Sequence, residues 1–204
     1  IGSDQTICSG DDPSAFTSST AGSGSGTITY QWMVSLDNIN FTNISGATQD
    51  TYDPTVQTQT RYYKRITTST LNGKACTSES NLVTVTVNTV SAGIVTGSQT
   101  ICSNTDPIAF ANIVAGNGLG AITYQWQSST DNMTFTNITG ASLATYDVGV
   151  LTQTMYYRRI ATSTLNGKAC SANSNVVSII VNDVAGGTIS ADQTICSGDD
   201  PVGF

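Results

Sequence analysis

The chain has 204 residues, a formal net charge of −7 and no histidine. An acidic chain does not fit nucleic acid, which rewards a basic footprint. Without histidine the usual general base and the commonest zinc ligand are missing, so we expect no enzyme, no catalytic residue, no metal site and no cofactor. Because no apolar run of about 18 residues occurs, we also expect no membrane span.

A repeat of 94 residues organises the chain. Its landmarks, two cysteines and a tryptophan, recur at a constant shift: Cys8, Trp32 and Cys76 return as Cys102, Trp126 and Cys170, and Cys8 returns again as Cys196. Because any unit found once must then occur twice, we expect two complete repeats and the start of a third. The expected boundaries are 1–90 for repeat 1, 91–184 for repeat 2, and 185–204 for the N-terminal strand region of a third, truncated repeat.

Short alternating runs between turn signals predict an all-β chain with almost no helix. The first clear strand is 27–34, where apolar and polar residues alternate and Trp32 falls on the inward face. A short strand around 41–44, a strand centred on Tyr52 and a longer strand over 61–69 should follow. Spacing of this kind is typical of a β-sandwich.

The dipeptide Asn72-Gly73 is the strongest turn signal in repeat 1, because a type I′ hairpin needs positive φ at both positions. It lies in the segment 69–76, which returns unchanged at 163–170. The last strand should run over 81–88 with its valines on one face. The segments 88–94 and 182–188 contain small residues and are predicted to be short linkers.

Several short motifs occur in the order found in immunoglobulin-like domains, namely Tyr30-Gln-Trp32, Gly46-Ala-Thr48, Tyr52 and Tyr62-Tyr63. More narrowly, Gln5-Thr-Ile-Cys-Ser9, Phe41-Thr-Asn-Ile44, Tyr62-Tyr-Lys-Arg65 and Ser80-Asn81 resemble the repeats of very large Bacteroidetes cell-surface adhesins of the gliding-motility type. The resemblance implies tandem immunoglobulin-like β-sandwich repeats, an extracellular, cell-surface location and a place in a long filament. The residues expected in the two cores are Trp32, Trp126, Tyr62 and Tyr156.

The cysteines depart from the antibody pattern, in which the second cysteine follows the corner tyrosine by two residues. That position is Lys64 here. One cysteine pair per repeat indicates disulfides in an oxidising compartment. We expect the pairs Cys8–Cys76 and Cys102–Cys170, with the partner of Cys196 outside this sequence. Pairing Cys76 with Cys102 across the repeats also accounts for five cysteines, and it remains open.

The basic residues cluster on the strand predicted over 61–69, which corresponds to strand F of immunoglobulin domains, and on its counterpart in repeat 2. Two interpretations of this cluster remain open. Their long side chains could cover aromatic surface, with the charged groups in solvent. Alternatively they form a stripe that binds an extracellular polysaccharide or a solid surface. The residues of this candidate stripe are Arg61, Lys64, Arg65, Arg158 and Arg159.

The acidic segment Asp11-Asp12-Pro13 returns at 199–201 and invites a structural calcium site. The second repeat, however, has Thr105-Asp106-Pro107 at the same place. A ligand needed in every repeat should not vanish from one, which favours a solvated turn opened by Asp and closed by Pro.

Taken together, the sequence predicts a disulfide-stapled spacer in a long extracellular stalk or adhesin, whose partners are neighbouring repeats of the same or another copy of the chain. The alternative is a glycan- or surface-binding module that uses the basic stripe. The start of the third repeat lacks a sandwich of its own. We expect residues 189–204 to belong to a longer filament or to pair with a neighbouring chain by strand addition.

Overall fold

The computed structural model describes residues 1–189 and 192–203, and within them every regular element is a β-strand. Repeat 1 contains β1 (Gln5–Cys8), β2 (Thr27–Ser35), β3 (Thr42–Asn43), β4 (Arg61–Leu71), β5 (Lys74–Glu79) and β6 (Val83–Asn88). Repeat 2 contains β7 (Ile94–Thr96), β8 (Gln99–Cys102), β9 (Ala111–Val114), β10 (Ala121–Ser129), β11 (Thr136–Asn137), β12 (Met155–Leu165), β13 (Lys168–Asn173) and β14 (Val177–Asn182).

Each repeat has one main sheet with the same strand order. In repeat 1 the order is β1-β6-β4-β2-β3, and in repeat 2 it is β8-β14-β12-β10-β11. The first strand of each sheet lies parallel to the last one, and the other pairs are antiparallel. The run β6-β4-β2-β3 reproduces the G, F, C and C′ order of immunoglobulin domains. The predicted fold class, tandem immunoglobulin-like β-sandwich repeats with a 94-residue period, is confirmed.

The layer facing the main sheet is thin. In repeat 1 it contains a single bridge between Phe16 and Tyr52, and in repeat 2 the equivalent bridge joins Phe110 to Tyr146. Strands β7 and β9 add a short ladder to this layer in repeat 2. A full strand centred on Tyr52 was therefore the wrong expectation, because the residue makes one bridge and its neighbours continue as irregular chain.

The core of each repeat is built around the tryptophan of strand C. Trp32 has no exposed surface, its ring stacks on Phe16 with centroids 5.7 Å apart, and its indole Nε1 donates to the carbonyl of Gln49 at 3.0 Å. Trp126 repeats this arrangement with Phe110 at 5.5 Å. Val83 and Val85, which have no exposed surface, pack in the same core.

The core tyrosines are displaced by one residue from the prediction. Tyr62 and Tyr156 are half-buried, whereas Tyr63 and Tyr157 are 2% and 3% exposed. Successive side chains of a strand point to opposite faces, so a shift of one residue exchanges the inward and outward positions. The prediction that Tyr62 and Tyr156 lie in the core was therefore wrong.

The predicted hairpin at Asn72-Gly73 is confirmed. The two residues have φ values of 48° and 78°, and they join β4 to β5. Asn166 and Gly167 do the same between β12 and β13, with φ values of 49° and 79°. Each repeat thus carries a long two-stranded hairpin that extends from strand F.

Candidate functional site

The hairpin β12–β13 of repeat 2 lies against the end of repeat 1 where β1 and β6 finish, and this contact is called the joint. A disulfide between Cys8 and Cys170 crosses it. The two Cα atoms are 5.4 Å apart, although 162 positions separate the residues in sequence. The joint therefore has two covalent connections, the peptide chain and the disulfide.

This disulfide corrects the expected pairing. Cys8 ends β1, whose Gln5 lies beside Val85, and Val85 in turn lies beside Arg61 of β4. Cys76 pairs with Ser69, eight positions further along β4 in the direction away from Cys8. At about 3.3 Å per residue the two cysteines are roughly 35 Å apart along the sheet. A disulfide needs Cα atoms within about 7 Å, so the pairs Cys8–Cys76 and Cys102–Cys170 were wrong.

The other cysteines of the described residues carry free, exposed thiols: Cys76, Cys102 and Cys196. The rival pairing of Cys76 with Cys102 is therefore also absent. Cys102 ends β8, as Cys8 ends β1, so it lies at the end of repeat 2 that points away from repeat 1. Cys76 lies on the hairpin of repeat 1, at the end of that repeat that points away from repeat 2.

Asn88 forms the buried polar centre of the joint. Its side chain is 1% exposed and donates from Nδ2 to the carbonyl of Ser163 at 3.1 Å. Its Oδ1 accepts from the backbone N–H of Leu119 at 3.0 Å and from the hydroxyl of Ser163 at 3.2 Å. Because a buried amide left without partners costs free energy, this network fixes how repeat 2 is seated.

Exposed polar contacts surround this centre. Lys168 Nζ lies 3.0 Å from Asp11 Oδ2, and Asn166 Nδ2 donates to Thr6 Oγ1 at 3.0 Å. The hydrogen bond from Lys168, followed by the backbone N–H of Cys8, lowers the pKa of Asp11 below its usual value. An exposed pair of this kind contributes little stability, so its role is to align the hairpin.

Arg159 holds the linker between the repeats. The side chain has no exposed surface and its Nη2 donates to the carbonyl of Ala92 at 2.7 Å, while Nη1 donates to Asn112 Oδ1 at 2.9 Å. The guanidinium also lies 4.2 Å from the ring centroid of Tyr124, and burial lowers its pKa. The next linker residue, Gly93, has a φ of 73°, and a Cβ atom added there would clash with the Val114 carbonyl oxygen. The linker is therefore held in place and is not a free hinge.

The buried arginines correct the candidate basic stripe. Arg65 is 2% exposed and Arg159 has no exposed surface, so neither belongs to a surface that could bind a ligand. Of the outward-facing members, Lys64 pairs with Glu79 at 2.8 Å and lies 4.3 Å from the Phe41 ring. Arg158 likewise lies 4.2 Å from the ring of Phe135. Stacking on aromatic rings, the first of the two interpretations, describes these side chains.

The acidic turn at Asp11 is used by the joint. Its carboxylate accepts from the Cys8 backbone N–H at 3.3 Å in addition to pairing with Lys168. Asp199 makes the same turn with the Cys196 backbone N–H at 3.1 Å. Within residues 1–189 and 192–203 no group of three or more metal-ligating side chains comes together.

The segment 192–203 keeps the local turn of the other repeats without a sandwich. Gln193 exchanges two hydrogen bonds with the backbone of Val202, as Gln5 does with Ser14. Ile189 and Ile195 are 87% and 48% exposed. Phe204, which occupies the repeat position of Phe16, lies outside the described residues. The longer filament and the strand addition both stay predictions.

Solved structures similar to this chain are tandem modules of low identity. The three N-terminal domains of the Hoc capsid protein of bacteriophage RB49 share 12% identity over 91% of this chain and 68% of that one, with a TM-score of 0.47. Immunoglobulin domains 1–4 of Sidekick-1 share 10% identity over 92% of this chain and 47% of that one, with a TM-score of 0.39. Fibronectin(III)-like modules of Clostridium thermocellum CbhA share 11% identity over 94% of this chain and 96% of that one, with a TM-score of 0.32. No curated protein matches the chain.

Three further findings concern membrane-crossing helices, the disulfide and the family of the chain. The part of the chain that the structure describes contains no helix able to cross a membrane. The Cys8–Cys170 disulfide is of the kind that persists in oxidising compartments outside the cytoplasm. A family model matches twice, over 1–89 and 91–183, with one match to each repeat. The chain therefore belongs to the family described as Domain of unknown function (DUF8696).

Proposed function

We propose that this chain is a stalk segment of a long extracellular surface protein, in which it acts as a stiff spacer. The observation that carries the proposal is the joint, where a disulfide joins Cys8 to Cys170 and Asn88 is buried against repeat 2. A binding module has no need of a covalent bridge between neighbouring domains. A spacer needs one because flexible joints would let a stalk collapse.

The joint resists both bending and extension. A tether made only of the segment 89–94 would let the two repeats rotate, since connected domains move unless their interface is large or fixed. Here the carbonyl of Ala92 is bound by the buried Arg159, and the disulfide joins the repeats at a second point. Two points of attachment remove the freedom that one linker would leave. Pulling force would be shared between the linker and the disulfide.

The finer assignment rests on the resemblance of the repeats to Bacteroidetes gliding-motility adhesins and on the disulfide chemistry. Secretion to the cell surface, a filament made of many repeats and an adhesive role for the whole protein are parts of this proposal. An antibody against the chain should label intact cells of the organism that makes it, because a surface stalk is accessible without permeabilisation.

Glycan binding by the basic stripe receives less support. Arg65 and Arg159 are internal, and Arg61 lies on the same face of β4 as Tyr63 and Arg65, with its Nε buried. The outward-facing members are therefore Lys64 and Arg158, one in each repeat. Lys64 is already paired with Glu79. The remaining positive charge is too sparse to form a continuous stripe on a chain with a net charge of −7.

Residual dipolar couplings from the weakly aligned chain test the spacer proposal. The oxidised protein should fit one alignment tensor for both repeats, whereas Cys170→Ser should require two, because the variant loses the second attachment. Two tensors in the oxidised protein would contradict a stiff spacer. A glycan array probed with the whole chain gives an independent check, since specific binding would favour the recognition module.

A further inference from the structure

We propose that the Cys8–Cys170 disulfide carries pulling force past the folded bodies of both repeats, so that the pair hardly lengthens under load. The disulfide closes a covalent loop over 162 sequence positions, and residues 9–169 lie inside it. Force that enters along β1 and leaves along β14 cannot stretch this loop while the disulfide is intact. The inference rests on the proposed stalk function for its biological meaning. It goes beyond that function because a stalk can be stiff at rest and still lengthen when its domains unfold.

The covalent route of the force is called the load path, and it consists of β1 up to Cys8, the disulfide and the segment 170–182. β1 runs toward the joint, where it ends beside Asn88 of β6. β14 runs away from the joint, because it is parallel to β8, whose last residue, Cys102, points away from repeat 1. β13 has the same direction as β14, since both pair antiparallel with β12. The load path therefore follows the length of both repeats in one direction.

The load path is already extended in the folded protein. β13 and β14 lie one after the other along the same edge of β12, because the other edge of β12 is occupied by β10. Cys170 lies beside Ser163, and Ile179 lies beside Met155, so nine steps along the load path match eight steps along β12. The excess is a single residue, or about 3 Å. A strand rises close to the maximum reach of a chain, so this segment has almost no length to give.

The parts of the chain that could lengthen lie outside the load path. Strands β2 to β12, the linker 89–94, Trp32 and Trp126 all belong to the closed loop. While β1 stays paired with β6, the linker and the disulfide share the force. Once this pairing breaks, the disulfide takes the whole force and the loop is no longer pulled. Without the disulfide, force would pass through each repeat in turn, and each could unfold and lengthen.

The disulfide therefore hides most of the length of the chain. The 204 residues reach about 700 Å when fully stretched. With the disulfide intact, only residues 1–8 and 170–204 can be stretched, and together they reach about 150 Å. The difference of about 550 Å belongs to the closed loop.

Single-molecule pulling on the full-length chain tests the proposal. Peptide tags at the two termini hold the chain, Cys76→Ser, Cys102→Ser and Cys196→Ser remove the other thiols, and mass spectrometry checks the disulfide beforehand. The oxidised protein should show no unfolding step of the size of a repeat, about 300 Å. A dithiol reductant added under constant force should then release about 550 Å.

Cys8→Ser in the same background is the control for the stretched length. It should reach the long form without reductant, about 550 Å beyond the oxidised parent. This expectation holds whether or not the variant is fully folded, because the stretched length depends only on the covalent connections of the chain.

Val83→Ala tests whether the core of repeat 1 bears force. Val83 has no exposed surface and lies in this core, outside the load path. The oxidised variant should give the same force-extension curve as the oxidised parent, because a weakened core that is not pulled has no effect on length. A repeat-sized lengthening of the oxidised variant would contradict the proposal.

Three results would overturn the inference: a repeat-sized step in the oxidised parent, a release on reduction far below about 550 Å, or the absence of the Cys8–Cys170 link. The first two would show that force still passes through the folded repeats. Residual dipolar couplings report the orientation of the repeats without load. A chain with one alignment tensor that lengthens under force would keep the stiff spacer and lose this inference, so the two proposals fail separately.

Discussion

Asn88 and Ser163 bind each other across the joint through both side chain and backbone. Asn88 Nδ2 donates to the Ser163 carbonyl at 3.1 Å, and the Ser163 hydroxyl donates to Asn88 Oδ1 at 3.2 Å. The residues are 1% and 0% exposed. A buried polar pair of this kind is selective, because a partner of another shape would leave the amide, hydroxyl and carbonyl groups unpaired.

Asn88→Ala should therefore loosen the joint. The variant leaves the backbone N–H of Leu119 and the Ser163 hydroxyl without their acceptor, which costs about 1–3 kcal/mol in the free energy of unfolding. Urea unfolding followed by tryptophan fluorescence measures the loss. Asn182→Ala is the matched control, since this residue is exposed in the isolated chain and should change stability by less than about 0.5 kcal/mol. Equal losses in the two variants would contradict the role given to Asn88.

Local patterns in the sequence predicted the strands and turns of this fold, and the structure agrees where the signal is local. The hairpin at Asn72-Gly73 needs only two adjacent residues with positive φ. The inward position of Trp32 follows from the alternation within one strand. The core tyrosine was misplaced because two adjacent tyrosines fit the alternation equally well, and only the pairing of Tyr63 with Val34 settles which one faces inward.

The disulfide could not be predicted in this way. In a periodic chain the pairs Cys8–Cys76 and Cys8–Cys170 use the same two repeat positions, and only the direction of each strand along the sheet decides between them. Arg159 is a similar case. Its acceptors lie in the linker and in the thin second layer, at Ala92 and Asn112, which no local pattern connects to strand F.

Cys8→Ser should destabilise the oxidised chain, while Cys102→Ser should not. Closing a loop between residues 162 positions apart corresponds to about 5 kcal/mol in the chain-entropy model. Urea unfolding with and without reductant measures the contribution, and reductant should abolish the difference between the variants. Cys76→Ser should behave like Cys102→Ser. A large loss of stability for Cys76→Ser would contradict the Cys8–Cys170 disulfide and support the pair Cys8–Cys76 within repeat 1.

Trp32→Ala should cost about 3–5 kcal/mol, because it empties a fully buried site that also holds the ring of Phe16. Trp126→Ala should cost a similar amount in repeat 2. Since each tryptophan belongs to its own core, calorimetry should show an early transition for the altered repeat only. Simultaneous unfolding of both repeats at the lower temperature would indicate a single cooperative unit.

Arg159→Met should free the linker at Ala92 and leave several buried carbonyls without a donor. We expect a loss of at least about 2 kcal/mol, the usual scale for hydrogen bonds to a charged group. Arg158→Met is the matched control on the opposite face of the same strand, and it should cost no more than about 1 kcal/mol. Hydrogen exchange of the amides of 89–94 gives a direct measurement, since protection should fall in the first variant alone.

Stability should decline in alkaline solution because of the inward-facing tyrosines. Burial raises the pKa of Tyr63 and of Tyr157 to about 12. In the unfolded chain the phenol ionises near pH 10, so the unfolded state loses its proton first as the pH rises. The free energy of unfolding should be unaffected by these groups below pH 10 and should fall between about pH 10 and 12. Urea unfolding at several pH values measures the decline, and absorbance at alkaline pH reports the ionisation itself.

Tyr63→Phe should remove the part of the decline that belongs to repeat 1, whereas Tyr62→Phe, on the half-buried outer face, should leave the decline in place. A decline unchanged by Tyr63→Phe would show that other groups cause it.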